Sequence, residues 1–472
     1  MSTFSGLSGA LSSLIAQRQA LEVSGQNVAN AKTAGYTRQR ADMTSVQALT
    51  TPSMFSAANG AGNGVRVSGI TRMGDVFLDA RLRTETSAAS FQAAQAKSLD
   101  RLETLVTEPS DTGITAQLQT FWSGWQDVGN DPDDPAARQT LIGNAKALIS
   151  QIASGYRGVE TQWAQARTEA QSIVTQVNTT ATAVADLNEQ IRAIQVSGGS
   201  ANELVDQRSL LVTQLSSLVG ASAREREDGT IDVMVAGNAL VRGVKATAVQ
   251  LSGPSSMAEL VATPSVPVSL SWGTTPPTPL SLQGGTLASH ISVLSPTGSL
   301  MSAADSFNDL ATSLETSVNA VHQTGTTLTG ATGVDFFVVN PDASLPKALR
   351  LSTISDPAQV AAADGTKGTL DGSIADKVSQ IVSKAGGPDS VWRSFVVDLG
   401  VQTQAATQRA KVTEVARATA ENLQLSQASV DLDEESVNML AYQRAYEGAA
   451  RVLTAIDEML DVLINRTGVV GR

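Results

Sequence analysis

The 472-residue sequence offers few side chains that could do covalent chemistry. It has no cysteine, so thiolate nucleophiles, disulfides and thiolate metal sites are ruled out. Its only histidines are His290 and His322. His322 sits beside the helical stripe of Val318 and Val321, with no second histidine to form an acid–base pair. Its position predicts a packing or hydrogen-bonding role at a helix end. Asp131, Asp133 and Asp134 could gather a cation, but the glycine and the distal glutamate of a calcium loop are missing. Asp134-Pro135 reads instead as an N-cap followed by an N1 proline. Gly60-Ala-Gly62-Asn-Gly64 resembles part of a dinucleotide loop, yet a strand-like alternation follows it where a helix should open. Gly365-Thr-Lys-Gly-Thr lacks phosphate-loop spacing and reads as a solvent turn. Phe121, Trp122 and Trp125 fall on adjoining helical turns, the spacing of a core. No catalytic residue, cofactor or metal is expected.

The composition points the same way. A net charge of −12 and a pI near 4.8 argue against nucleic acid as a partner, because phosphate binding needs a basic footprint. No apolar run approaches the roughly 18–20 residues of a membrane span. The start of the chain has no charged region leading into an apolar one, so no cleaved signal peptide is expected. Aromatics make up 4%, which suits long helices and Thr/Ser-rich strands better than a compact enzyme core.

With no reacting group to position, the informative spacing is that of the apolar residues at the two ends. Met439, Tyr442, Tyr446, Ala449, Leu453, Ile456, Leu460 and Leu463 recur in alternating steps of three and four. That is the a/d seam of a coiled-coil helix. Asp431 and Glu434 read as the capping box that starts it. Ala445, Val452 and Met459 form a third stripe, widening the apolar face beyond what one partner helix needs. The first thirty residues carry Leu7, Leu14, Leu21 and Val28 at heptad spacing, with Leu11, Arg18 and Gly25 in the alternate seam. Arg18 would either snorkel to water or fix register with an acid. Residues 1–40 carry a net charge of +3 and residues 431–472 one of −4, so the two ends should attract weakly.

Between the ends the pattern is helix, β insert, helix. Helices are expected from Asp75 to about Glu108, over 114–128, and from Pro135 through the run Trp163 to Ile194. Ser197-Gly198-Gly199-Ser200 breaks that run, and Leu204, Leu211, Leu215 and Leu218 start an antiparallel return. Asp228-Gly229 signals a hairpin, with Ile231, Val233 and Val235 alternating behind it. Helix resumes near Leu300, Phe336–Val339 reads as a strand, and long helices fill about 375–385 and 389–428. The expected fold is mainly α, a long helical bundle and coiled coil built from both termini, with a small inserted β-rich domain. The expected divisions are 1–74 (heptad helix and extended segment), 75–220 (bundle), 221–298 (β-rich insert), 299–388 (helix plus mixed segment) and 389–472 (long helices and assembly heptads).

The run Asn27-Val28-Ala-Asn30-Ala-Lys-Thr-Ala-Gly35-Tyr36-Thr-Arg-Gln39 resembles the signature shared by bacterial flagellar rod, hook and hook-associated proteins. Its Gly-Tyr-Thr-Arg-Gln form is similar to that of the family of first hook–filament junction proteins. Asn202-Glu-Leu-Val-Asp206-Gln207-Arg208, Asp228-Gly229-Thr230, Leu240-Val241-Arg-Gly243 and Val318-Asn319-Ala-Val-His322-Gln-Thr-Gly325 fit the same pattern. So do Gly333-Val-Asp335-Phe336-Phe337, Val430–Glu435 and Leu463-Ile464-Asn465. The sequence departs from the pattern at Ser429-Val430, and its middle is short beside larger members.

The resemblance implies a structural, non-enzymatic component, exported unfolded through the flagellar type III apparatus with the help of a chaperone. It would lie outside the cell, in a ring of identical subunits between hook protein and a second junction protein. Residues 1–30 and 431–465 would form the inner coil, partly disordered until assembly orders them. The residues expected to assemble are Leu7, Leu11, Leu14, Leu21, Asn27, Val28, Asn30, Gly35, Tyr36, Met439, Tyr442, Tyr446, Leu453, Ile456, Leu460 and Leu463. Another axial protein of the flagellum is the alternative. A secreted enzyme on a helical stalk would need activity from the β insert, and an adhesin would need an anchor.

Overall fold

A computed structural model describes residues 3–47, 62–342, 344–366, 368 and 370–466. Gly60, Ala61, Lys367 and Thr369, from the two glycine-rich stretches of the sequence, lie outside the described residues. The chain opens with helix α1 (Thr3–Asn30), followed by a hairpin of strands β1 (Gln39–Ser45) and β2 (Val65–Arg72). Helix α2 (Val76–Val106) starts at an Asp75 N-cap whose carboxylate accepts from the Phe77 and Leu78 amides. Helix α3 (Ile114–Asn130) and helix α4 (Pro135–Val196) follow. Asp134 caps α4 by accepting from the Ala136 and Ala137 amides, so this carboxylate serves the helix rather than a cation. At 62 residues α4 runs roughly 90 Å, at about 1.5 Å per residue. It is the mast of the molecule. Helix α5 (Asn202–Val219) turns back along it.

Two small antiparallel sheets then lie against α4. The first holds β3 (Ser222–Glu225), β4 (Ile231–Val235), β5 (Asn238–Arg242) and β6 (Lys245–Ala246). The second holds β7 (Val249–Ser252), β8 (Ser269–Trp272) and β9 (Thr278–Leu280), with the short helix α6 (Met257–Ala262) between its first two strands. The β character stops earlier than the sequence suggests. Helix α7 (Gly285–Val293) already lies on α2 and α5, inside the segment read as β-rich. It escapes detection because only Leu287, Ala288 and Val293 supply its buried apolar face, too few to set a period. Gly285 begins it at φ +80°, with the Leu218 carbonyl group so near that a β-carbon would fall at 2.6 Å. Only glycine meets both conditions.

Helix α8 (Ser299–His322), strand β10 (Phe337–Val339), the single turn α9 (Lys347–Arg350), strand β11 (Leu351–Thr353) and helix α10 (Ser373–Ser379) complete the far end. Helix α11 (Pro388–Ala428) returns antiparallel along α2, with Trp392 beside Glu108 and Gln424 beside Asp79. The sequence reading groups α11 with the terminal helix, but it is a bundle helix. After the break at Ser429–Asp431, α12 (Leu432–Asp461) runs into a wider final turn, Val462–Arg466. The fold is therefore mainly α, with long helices at both ends and small antiparallel sheets in the middle.

One core runs from α2 and α3 through α4 to α8 and the sheets. Phe121, Trp122 and Trp125 lie inside it, against Phe336, Phe337 and His322. They are packing residues and not an exposed site. His322 is wholly buried: Nδ1 donates to the Val334 carbonyl and Nε2 accepts the Ala361 amide. Burial lowers its pKa, which keeps the ring neutral as those two bonds require. Asparagines pin the strands to the helices. The carboxamides of Asn178, Asn188 and Asn319 each accept the amide and donate to the carbonyl of one strand residue: Val249, Ile231 and Phe337. Each imitates a neighbouring strand, satisfying backbone groups that packing alone would leave unpaired.

Candidate assembly interface

The segment that carries the signature joins three parts of the chain. Asn27, on the last turns of α1 and 1% exposed, uses the same carboxamide device. Its Oδ1 accepts the Gln39 amide at 2.9 Å and the Tyr36 hydroxyl at 2.9 Å, while its Nδ2 donates to the Gln39 carbonyl at 2.8 Å. Asn30 ends the helix by bonding the Gln26 carbonyl and accepting from the Thr33 hydroxyl. Gly35 follows at φ +77°, in the left-handed region, facing Leu210 of α5, which a β-carbon here would meet at 3.5 Å. Burial and the carboxylates of Glu203, Asp206 and Glu435 push the Tyr36 phenol up to about 12.

The next residues tie this turn to α5 and to α12. Asp206 accepts from the Thr37 amide at 3.0 Å and from Arg72 Nε at 2.7 Å. Asn202 donates to the Gln39 side chain and the Ile70 carbonyl, and Glu203 accepts from Gln39 Nε2. Arg38 donates its amide to the Ala428 carbonyl, at the end of α11, at 2.8 Å. Its guanidinium grips Glu434 with two bonds, of 3.0 and 2.8 Å, and the buried Glu435 with a third, of 2.7 Å. Hydrogen bonds donated to these carboxylates, that to Glu434 first, hold the Arg38 pKa above its ordinary value. The capping box expected at Asp431 is therefore only half formed. Asp431 caps α12 by accepting from the Asp433 and Glu434 amides, but the Glu434 side chain goes to Arg38.

Helices α1 and α12 run antiparallel as a pair: Gly6 lies at Ile456, Ala20 and Val23 at Tyr442, and Arg38 at Glu434. The terminal helix is thus covered on one face by its own chain. On α12, Ala449 and Ile456 are buried, Met439, Tyr442, Leu453 and Leu460 half-buried, Tyr446 and Leu463 exposed. On α1 the seam is rotated from the leucine heptad. Its most buried residues are Ala10, Ala16, Ala20, Val23, Ser24 and Asn27, whereas Leu7, Leu14, Leu21 and Val28 are half-buried and Leu11 is 51% exposed. Small residues let the helix lie close both to α12 and to the β1–β2 hairpin, a second neighbour that heptad logic does not anticipate. Arg18 is outside the seam, paired with Glu22 on the surface.

A second apolar line on α12 has no cover among the described residues. Ala441, Ala445, Gly448, Val452, Ala455, Met459 and Val462 follow the same alternating steps, and all are exposed. Val437 and Leu440 precede them, and Leu11 and Ile15 are their counterparts on α1. The 445, 452 and 459 stripe is visible in the sequence; the small residues between them, Gly448 and Ala455, carry too little apolar signal to mark a seam. Also missed were the Arg38 and Asp206 contacts. Their only signal was a pair of unlike charges hundreds of positions apart.

No group of histidine, aspartate or glutamate able to hold a metal occurs among the described residues, and none of their helices is long and apolar enough to cross a membrane. His290 is half-buried beside Glu169 at 3.6 Å, and burial lowers its pKa.

Three family models match in chain order. That of the flagellar basal body rod protein covers residues 7–37, and that of the C-terminal part of the flagellar basal body rod FlgEFG proteins covers 424–466. They fall on α1 with its signature turn and on α12, and they mark a structural component of the bacterial flagellum. The helical domain of flagellar hook-associated protein FlgK matches residues 99–337, half of the chain. The chain belongs to the FlgK family of flagellar hook-associated proteins. Flagellar hook-associated protein 1 of Bacillus subtilis is 28% identical over the full length of both chains. Its namesake in Salmonella typhimurium is 31% identical over 70% of this chain and 58% of its own. That of Escherichia coli is 29% identical over 76% and 65%. The fold is similar to that of the flagellar hook junction protein FlgK from Burkholderia pseudomallei, with a TM-score of 0.63 and 18% identity, covering 75% of this chain and all of that one.

Proposed function

We propose that this chain is a structural subunit of the junction between hook and filament, and that the α1–α12 pair is its assembly element. The observation that carries the reading is the second apolar line on α12, beside Leu11 and Ile15 of α1. A helix pair already joined within one chain still displays a coiled-coil seam to water, and an apolar face of that kind marks a surface of association. Copies of the chain would form a ring through these faces, with hook protein on one side and a second junction protein on the other. The assembly set comprises Leu7, Leu11, Leu14, Leu21, Val28, Met439, Tyr442, Tyr446, Leu453, Ile456, Leu460 and Leu463, with Asn27, Asn30, Gly35 and Tyr36 holding its base. The bundle and sheets would form the outer layer. The subunit works by filling space and transmitting force, as a non-enzyme outside the cell. It reaches that place by export through the flagellar apparatus, escorted by a chaperone.

Removing residues 443–472 deletes most of α12 but leaves the bundle core intact. The truncated chain should remain a folded monomer that does not enter the junction, leaving cells without filaments. Normal filaments on such cells would refute the proposal.

A further inference from the structure

We infer that Arg38 sets the angle at which the terminal helix pair leaves the bundle, and that this joint is held by charge and hydrogen bonds rather than by packing. The backbone between the two long C-terminal helices is broken: Ser429 and Asp431 both have extended dihedrals, ψ 156° and 114°. Beyond the break, α12 packs substantially only against α1 and its own final turn, and α1 only against α12 and the hairpin. Among the described residues no buried apolar cluster spans the joint. Arg38 does. Its amide holds the last carbonyl of α11, at Ala428, and its guanidinium holds Glu434 and Glu435 in the first turn of α12. One residue thus fixes the helix before the break to the helix after it. The hairpin side is tied by a second set of polar bonds, Arg72 and Thr37 to Asp206.

The geometry of the grip matters. A planar guanidinium that binds Glu434 through both terminal nitrogens and Glu435 through Nε defines a direction, which a lysine ammonium cannot do. The Arg38 side chain is 19% exposed, that of Glu435 2% and that of Glu434 56%. One arm is therefore shielded from salt and the other open to it. Arg38 is a positioning residue, acting on assembly only through the direction of α12. A joint of this kind can be re-aimed without unfolding either side, whereas a packed joint would have to lose its core first.

The inference does not rest on the junction reading and is tested on the isolated full-length chain. The absence of cysteine makes site-directed spin labelling clean. Labels at Thr182→Cys on α4 and Arg451→Cys on α12, both exposed, report the angle as a distance. The unaltered joint should give one narrow distance peak. Arg38→Ala should lose that peak to a broad distribution while helix content and the melting of the bundle stay unchanged, and Arg38→Lys should fall between. Salt near 1 M, where screening acts over about 3 Å, should broaden the peak by releasing Glu434. If Arg38→Ala loses helix by circular dichroism, Glu434→Gln, which leaves Arg38 on Glu435, should still broaden the peak. A single narrow peak at the same distance in these variants and in high salt would overturn the inference.

Discussion

Asn27→Ala is the sharpest test of how the signature turn works. In the native chain one carboxamide satisfies the Gln39 amide, the Gln39 carbonyl and the Tyr36 hydroxyl, at 2.8–2.9 Å and 1% exposure. Alanine leaves the two backbone groups buried beneath α1 and without partners. Each stranded group costs about 1–3 kcal/mol, so a total near 3 kcal/mol is expected after some relaxation. That corresponds to roughly a hundredfold change in a local opening equilibrium. The assay is amide hydrogen exchange by mass spectrometry on the purified chain. Peptides spanning α1 and the β1–β2 hairpin should lose about that much protection, and peptides from α4 should not change. Asn27→Asp separates chemistry from shape. It keeps both accepted bonds but turns a carboxylate oxygen toward the Gln39 carbonyl, so it should also lose protection despite its near-identical volume. Protection of the Gln39 amide unchanged within about 0.5 kcal/mol in the alanine variant would refute the reasoning.

Other perturbations separate the assembly face from the fold. Val452→Glu with Met459→Glu alters exposed positions only, so thermal unfolding should move by less than about 0.5 kcal/mol while incorporation into flagella is lost. Ala20→Leu should do the opposite. At 1% exposure its extra bulk should cost about 1–3 kcal/mol and lower the melting of the helix pair. His322 has a folded pKa below its ordinary 6.5, so the stability it provides is complete above pH 6.5 and declines as pH falls through the folded value. Melting curves of His322→Gln should lack that acid-side loss. Tyr36 has a folded pKa raised to about 12, so its contribution is full below the ordinary 10.0 and is lost between 10.0 and 12. Tyr36→Phe should remove that alkaline step from a stability–pH profile.

Much of the architecture is periodic and therefore legible in the sequence. Helices α2, α3, α4 and α5 follow from apolar spacing and, for α4, from the Asp134 cap, because intervals of three and four and short-range hydrogen bonds are local facts. Hairpin β3–β4 follows from Asp228-Gly229 for the same reason. The α12 seam is readable because its steps of three and four repeat on one helix, and α1 buries part of it, at Ala449 and Ile456. The α1 seam was misjudged because that helix has two partners: the hairpin beside it moved burial from Leu11 to Ala10, Ala16 and Ala20.

What the tertiary structure alone decided is the set of polar contacts that join distant elements. The sequence contains Asn27, Asn178, Asn188 and Asn319, but nothing local says that each holds a strand residue by both its amide and its carbonyl. Nor does it say that Glu434 leaves its own helix cap for Arg38, 396 positions earlier. Apolar burial leaves a periodic trace because a whole face must be repeated turn after turn. A hydrogen-bonded contact needs only two residues, at any separation, and leaves none. The coil was therefore determined by the sequence pattern, and the joint that aims it only by the fold.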